Sequence, residues 1–388
     1  MKKILLSTAA VAVLALAAPA HAEEGGVQLE LGGYFKGYLG YLDQSKVKDT
    51  DPGTAGNQAG YEVRDIDWLQ DSEIHVGGET TLDNNLTIGA HFEADVDNGD
   101  GNIEESYLYF SSENWGRVNL GNEDGAAFLL QVAAPSADEN YDGVRQYISP
   151  FNYDTSVVGD VALAEAMANG LDYAQDPTGY SQKVTYLSPK FGMHEDHGLQ
   201  VGLSYTPTLN DSATNAGFGF GTDKVAGAYG SAYEAALRYD GAFQNVGVIV
   251  GGGYSRVDLQ EKDTVGELDD RDVWNVGLNL KYAAFSLGGA YLEDNQGKKT
   301  NGDETTWVVG ADYTTGPFKF GLSYLNQSEK VSAGGDLDTD RYTGGVVYQY
   351  APGMTFRGSL SYVDHTVPAT LGEDLDGMTL LLGTQVNF

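Results

Sequence analysis

The chain has 388 residues, of which 56 are acidic and 22 are basic, and its formal net charge is −34. Phosphate backbones bind clusters of Lys and Arg, so this charge argues against a nucleic-acid partner and favours cations, although acidity is equally typical of proteins adapted to salty surroundings. The chain contains no cysteine, which excludes disulfides, zinc–thiolate sites, iron–sulfur clusters and cysteine nucleophiles.

Residues 1–22 have the pattern of a cleaved secretory signal peptide. Two lysines precede an apolar run over 4–18, and an Ala-His-Ala cleavage site follows it. The run is shorter than the roughly 20 apolar residues of a membrane-spanning helix, which argues against an anchor. We therefore predict an exported chain whose mature part, residues 23–388, forms a single domain.

The mature part alternates apolar and polar residues in short segments. In segment 86–96, residues such as Leu86, Ile88 and Phe92 share one face, while His91 and Glu93 share the other. A period of two is typical of a β-strand with one apolar and one polar side. Sixteen such segments lie near 28–41, 64–82, 86–96, 103–111, 115–121, 180–188, 199–206, 231–240, 245–258, 272–282, 285–292, 304–313, 317–326, 341–350, 354–364 and 377–388.

The connections alternate between short turns, such as 283–284 and 351–353, and long loops rich in Gly, Asp and Asn. The connection at 189–197 is longer than the other short turns, and the acidic segment 123–179 is the longest of all. Short turns at one rim and long loops at the other are typical of outer-membrane barrels. In hydrocarbon an open sheet edge would cost several kcal/mol for each unpaired backbone group, so the sheet must close.

The fold class predicted is all-β: a transmembrane antiparallel β-barrel of 16 strands with both termini at the short-turn rim. The loop 123–179 is expected to fold into the lumen as a constriction, because a wide polar barrel gives such a segment a place. Aromatic residues end the apolar faces, as Trp274 and Tyr282 do in one strand, and they predict the aromatic girdles of a membrane barrel.

Four stretches of the chain are distinctive: GGETTLDNNLTIGA at 77–90, the hairpin 107–121 with WGRVNLG, VTYLSP at 184–189, and the alternating C-terminal residues that end at Phe388. Together, in their order and spacing, they resemble the Gram-negative general porins. The resemblance spans the mature chain, although 123–179 is longer than expected for the family. It implies a homotrimer in the outer membrane, surrounded by lipid and lipopolysaccharide, that lets small hydrophilic solutes and ions diffuse passively. It also implies that the barrel-assembly machinery reads Phe388 as its signal.

The resemblance implies carboxylates near the start of the long loop that face basic residues across the pore. The acidic candidates are Glu123, Asp124, Asp138, Glu139 and Asp142. By alternation, the basic candidates on the lumen face are Lys36, Lys183, Arg238 and Arg357. Opposed charges would set a transverse field that polar solutes tolerate. Because the acids outnumber the bases, we expect a pore that prefers cations.

Two further clusters suggest metal chemistry. Asp95, Asp97 and Asp100 lie in a loop that resembles a calcium site but departs from its spacing by one residue and has no flanking helices, so a plain hairpin tip is the alternative. His75 and His91 face the lumen by alternation, near several glutamates, as a catalytic site, a metal site or polar filling of the wall. Apart from Ca²⁺ at the first of these clusters, we expect no cofactor.

Two other functions stay open. A substrate-selective channel could use the same fold. A barrel-type outer-membrane enzyme, such as a lipase or protease, would need a Ser/His/Asp or similar constellation, and strand register pairs no serine with a histidine. We therefore predict a channel without catalytic activity.

Overall fold

A computed structural model describes residues 26–45, 63–97, 102–158, 161–194, 197–209, 223–262, 267–300, 302–331, 335–369 and 371–388. The predicted signal peptide lies outside these ranges. The strands are β1 Gln28–Gln44, β2 Ile66–Thr81, β3 Thr87–Asp95, β4 Ile103–Ser112, β5 Gly116–Asn122, β6 Gln182–Leu187, β7 Phe191–His194, β8 His197–Thr206, β9 Tyr229–Phe243, β10 Val246–Leu259, β11 Arg271–Tyr282, β12 Phe285–Asp294, β13 Glu304–Thr315, β14 Phe318–Lys330, β15 Asp336–Ala351, β16 Met354–Thr366 and β17 Leu375–Asn387.

The strands form one closed antiparallel sheet. Apart from β6 and β7, each strand pairs with its neighbours in the chain, and β1 pairs with both β2 and β17, which closes the wall. The short strands β6 and β7 both pair with β8 and are two pieces of one wall strand. The seventeen segments therefore make a barrel of sixteen wall strands, and the predicted fold class is confirmed.

Both ends of the barrel's chain lie at the rim with the short turns, as predicted. Gln28, at the start of β1, is opposite Glu79, close to the turn after β2. At the other end, the backbone of Phe388 exchanges hydrogen bonds of 3.0 and 3.1 Å with that of Gly33. The C-terminal residue is thus part of the seam at which the wall closes.

Two connections differ from the expectation. The predicted long turn 189–197 contains β7, which continues the wall strand after an interruption at 188–190. The predicted loop 327–340 is mostly strand, because β14 extends to Lys330 and pairs with the start of β15. Both stretches are rich in polar residues, so the alternation of apolar residues did not indicate strands there. Backbone pairing nevertheless continues through both stretches.

The outer face of the barrel is apolar and ends in two rows of aromatic rings. One row contains Trp274 and Tyr291, whose ring centroids are 5.0 Å apart, and Trp307 and Tyr324, at 4.9 Å. The other contains Phe285 and Tyr313, at 4.6 Å. Rings of this kind suit the two boundaries between lipid and water. The rows match the girdles expected from the sequence.

The segment between β5 and β6 carries four short helices: α1 Ala126–Leu129, α2 Glu139–Asp142, α3 Thr155–Val158 and α4 Val161–Asn169. No helix in the described ranges is long and apolar enough to cross a membrane. α4 contributes to a small apolar core, in which Leu163 and Met167 pack against Leu337 and Leu375 of the wall. We call residues 123–179 the long loop.

Candidate functional site

The long loop lies against the inner face of the wall and contacts strands around much of its circumference. The amide of Asn279 in β11 donates to the carbonyl of Ala133 at 2.7 Å. On the other side, the hydroxyl of Tyr141 donates to Ser361 of β16 at 2.8 Å. Contacts this far apart in the sheet hold the loop inside the barrel.

A row of glycines on the inner face of the wall makes room for the first part of the loop. Gly202, Gly251, Gly277, Gly310, Gly321 and Gly345 lie in β8, β10, β11, β13, β14 and β15. A Cβ added at Gly251 would lie 2.9 Å from Val132, and one at Gly277 would overlap the carbonyl of Val132. We call these six residues the glycine track. It lets the backbone of 126–137 lie directly on the sheet.

Asp138 ends this stretch and is completely buried. Its carboxylate accepts hydrogen bonds from Arg357 Nη1 at 2.7 Å, from Tyr38 at 2.9 Å and from Ser359 at 3.3 Å. Its side chain also caps α2 through the backbone N–H of Asn140. A buried charge with this many donors is stabilised where it lies. Asp138 therefore anchors the loop to β1 and β16.

Asp142 is also buried, but it has fewer partners. Ser323 donates to one carboxylate oxygen at 2.8 Å, and the other oxygen has no hydrogen-bond partner in the described structure. Burial raises the pKa of Asp142 to about 6, although nearby Arg341 opposes the shift. Arg341 is itself fully buried and donates to the carbonyl of Leu171 at 2.6 Å.

The start and end of the long loop are joined by Arg145. Its guanidinium lies 2.9 Å from Asp124 and 2.8 Å from Asp176. Burial and the charge of Asp124 raise the pKa of Asp176 to about 7. Glu123 is buried and accepts from Asn119 at 2.7 Å, and Lys183 donates to the backbone carbonyl of Glu123.

The arrangement expected from the sequence was a row of acids that faces a row of bases across the water-filled pore. In the structure, most of these side chains form contacts with the loop or the wall instead. Glu123, Asp124, Asp138 and Asp142 are buried in contacts, and only Glu139 is exposed, 4.0 Å from Arg357. Lys36 forms an ion pair of 2.7 Å with Asp71 and lies 3.3 Å from the centre of the Tyr147 ring. Arg238 pairs with Asp240 at 3.2 Å. Alternation did not apply to the loop, so it could not show which acids were buried there.

The inner face of β2, β3 and β4 presents four half-buried glutamates, Glu73, Glu79, Glu93 and Glu105. Within the described residues, none of them has an ion pair with Lys or Arg. Tyr109 donates to Glu79 at 2.6 Å, and the backbone of Asp124 donates to Glu105 at 3.2 Å. We call these four residues the glutamate wall. The alternation of apolar and polar residues in the sequence placed Glu73, Glu79 and Glu93 on the lumen face. The same pattern in β4 would have identified Glu105.

Asp95 ends β3, and its carboxylate accepts from the backbone N–H of Asp97 at 3.0 Å. Burial and the neighbouring Asp95 raise the pKa of Asp97 to about 6. Asp100 lies outside the described residues. The calcium site stays a prediction.

A cavity of about 760 Å³ lies between the end of the long loop and the wall. Glu104 of β4 lines one side and Arg271 of β11 another, while Thr178 and Tyr180 contribute from the loop and its exit. A water-accessible space of this size with mixed polar walls is suited to hydrated ions and small polar molecules.

The family model described as Gram-negative porin matches residues 7–366. Among solved structures, in-vitro folded OmpT, an outer membrane protein of Vibrio cholerae, is 16% identical over 96% of this chain and 100% of its own, with a TM-score of 0.59. The anion-selective porin from Comamonas acidovorans is 15% identical over 94% of this chain and 100% of its own, with a TM-score of 0.57. These likenesses show a shared fold. No curated protein sequence matches the chain.

Proposed function

The chain belongs to the Gram-negative porin family, and we propose that its outer-membrane pore for small solutes is a passive channel that prefers cations and has no catalytic activity. The observation that supports the cation preference is the glutamate wall. Four carboxylates face the lumen with no Lys or Arg ion pair among the described residues, whereas Lys36, Arg238 and Arg357 are each paired with an acid.

The charge balance is sufficient to bias permeation. The screening length at physiological salt is about 8 Å, so a cation near one glutamate interacts with it while passing through a narrow lumen. At several ångströms and an intermediate effective dielectric constant, each such interaction is about 1 kcal/mol or more. Because Lys36, Arg238 and Arg357 are each offset by an acid, the carboxylates of Glu73, Glu79 and Glu93 add negative charge to the lumen that no Lys or Arg ion pair among the described residues offsets.

The test is the zero-current potential of the purified protein in planar bilayers across a KCl gradient. We expect the wild-type pore to prefer K⁺, with a preference that weakens as salt rises. Neutralising the glutamate wall by the substitutions E73Q, E79Q, E93Q and E105Q should shift the potential toward Cl⁻. The matched control neutralises four exposed acids in loops and turns, by D65N, D83N, E113Q and D303N, and should leave the potential nearly unchanged.

An anion-preferring wild-type pore in low salt, or equal shifts in the two quadruple variants, would contradict the proposal. Inhibition of the conductance by one sugar or anion would favour the substrate-selective channel instead.

We also propose that the chain assembles as a homotrimer through the outer face of its first strands. Trp68 of β2 lies against Gly37 of β1, where any Cβ would collide with the indole ring. The indole ring thus occupies the space in which a side chain at position 37 would lie. The outer surface there is flat and suited to packing against another subunit. OmpT of Vibrio cholerae, 16% identical over 93% of this chain and 99% of its own with a TM-score of 0.56, has a known structure in a trimer form.

We propose two further kinds of partner for the barrel, the surrounding lipid and the machinery that assembles it. The apolar outer face with its aromatic rows supports contact with outer-membrane lipid and lipopolysaccharide. Phe388, whose ring is exposed at the closing seam, is proposed as the residue read by the barrel-assembly machinery. Calcium at Asp95, Asp97 and Asp100 is also a proposal, and equilibrium dialysis against radioactive calcium would test it.

A further inference from the structure

Two histidines and a glutamate meet on the inner face of β2 and β3. The strand register places His75 directly opposite Glu93. His91 lies two residues before Glu93 and therefore points to the same side of the sheet. All three side chains are half-buried rather than sealed from the lumen.

The donor atoms are already close enough to share one ion. One nitrogen or oxygen from each residue can be chosen so that all three lie within 4.8 Å of one another. Glu93 Oε1 is 2.9 Å from His91 Nε2 and 3.6 Å from His75 Nε2. Ligands of a tetrahedral metal at about 2.1 Å are separated by roughly 3.4 Å. Only small side-chain movements are needed to reach that geometry.

The surroundings favour a cation over a resident basic side chain. Lys36, the base on neighbouring β1, is engaged by Asp71 at 2.7 Å. Glu73 lies 2.9 Å from His75 Nε2 and adds a second carboxylate, which the hydroxyl of Tyr34 holds by a hydrogen bond. Among the described residues, the only ion-pair partners of Glu73 and Glu93 are these histidines.

The positions of the rings are set by their neighbours. The ring of His91 lies 5.2 Å from that of Tyr107 and 5.8 Å from that of His75, and Tyr34 lies 5.9 Å from His75 on the other side. Ligands held by packing and by hydrogen bonds to second residues bind metals more tightly than free side chains do.

We propose that His75, His91 and Glu93 form a binding site for a divalent transition-metal ion, such as Zn²⁺, on the lumen wall. Imidazole nitrogens suit Zn²⁺, Ni²⁺ and Cu²⁺, whereas Ca²⁺ and Mg²⁺ prefer sites made entirely of oxygen. Three protein ligands leave a position for water or for a passing solute. A bound dication would also offset the charge of Glu73 and Glu93, so the ion would reduce the cation preference of the pore.

The experiment is calorimetric titration of ZnCl₂ into untagged, mature protein in mild detergent, after treatment with a chelator and dialysis. We expect one ion per chain. The substitution His91→Gln should weaken binding by at least tenfold, and H75Q with H91Q should abolish it. His197→Gln is the matched control, because His197 contacts Tyr239 and Phe243 in another part of the wall and should not affect binding.

A second measurement requires no variant. Electron paramagnetic resonance of the wild-type protein with one equivalent of Cu²⁺ should show coupling to two imidazole nitrogens. No saturable Zn²⁺ binding in the wild type, binding unchanged in the double variant, or a Cu²⁺ spectrum without nitrogen coupling would each overturn the site. Neither measurement uses conductance, so failure here is distinct from failure of the proposed selectivity.

Discussion

Asp138 and Asp142 lie four residues apart on the long loop and are both buried, yet their surroundings differ. Asp138 has three donors, including the guanidinium of Arg357. Asp142 has one hydroxyl donor and an oxygen without a partner. A buried carboxylate without enough donors binds a proton more readily than it does in water. The first residue therefore anchors the loop, while the second makes docking of the loop sensitive to pH.

We predict that the loop docks more firmly as the pH falls from about 7 toward 4. The pKa of Asp142 is about 6 in the folded protein and that of Asp176 about 7, against an ordinary value of 3.8. Between the ordinary and the raised values, the docked state holds protons that the undocked state has lost, so acidification stabilises docking. Hydrogen exchange of the amides of 138–148, corrected for intrinsic rates, measures this stability.

Asp142→Asn tests the cause, because an amide imitates the protonated acid and can still accept from Ser323. The variant should have stronger protection at pH 8 than the wild type and a weaker dependence on pH. Asp303→Asn, an exposed residue paired only with Lys330 in the described structure, is the control. If D142N keeps the full pH dependence, Asp142 is not its source.

At the scale of elements, the glycine track explains how an irregular segment lies flat on a sheet. Gly251 and Gly277 are directly opposite each other in β10 and β11, and Gly321 and Gly345 are opposite in β14 and β15. Two glycines opposite each other leave a patch of the sheet without side chains. Another segment of backbone can therefore lie directly on the sheet at that patch. The segment 126–137 is rich in small and apolar residues, which suit so close a contact.

We predict that Gly277→Val displaces the loop into the lumen and lowers single-channel conductance. The new side chain would occupy the position of the Val132 carbonyl. Overpacking of this kind typically costs about 1–3 kcal/mol. The control is Gly358→Val on β16, where the nearest atom to an added Cβ is 3.6 Å away. Equal conductance in G277V and the wild type would show that the track does not position the loop.

The sequence predicted the wall much better than the loop. Alternation identified sixteen wall strands because lipid on one side and water on the other impose opposite requirements on successive residues. β7 has only four residues, too few to show a period. The track was hidden because glycine fits either face. The burial of Asp142 could not be predicted, because the sequence of a long polar loop does not show whether an acid is surrounded by water or contacts a residue such as Ser323.

For the whole molecule, the trimer proposal leads to a prediction about mass. Light scattering in mild detergent should give three chains per particle for the wild type. Leu39→Lys on the outer face of β1 should release monomers, because a charge would be buried between subunits. Leu237→Lys on β9, half-way around the barrel, carries the same charge toward lipid or detergent and should remain trimeric. A monomeric wild type would contradict the assembly.

The glycine track also imposes a sequence of events on biogenesis. Every strand that contributes to it, from β8 to β15, follows the long loop in the chain. Because the chain is made and exported from its N-terminus, the loop emerges before the strands on which it lies. Contacts such as that between Asn140 and Gln385 join residues 245 positions apart. Contacts between residues so distant in the chain form late, since the intervening chain must first be ordered. By this argument the constriction forms only after β8 to β15 are in place, so we expect a nascent barrel to pass through a wider, unobstructed stage before it matures.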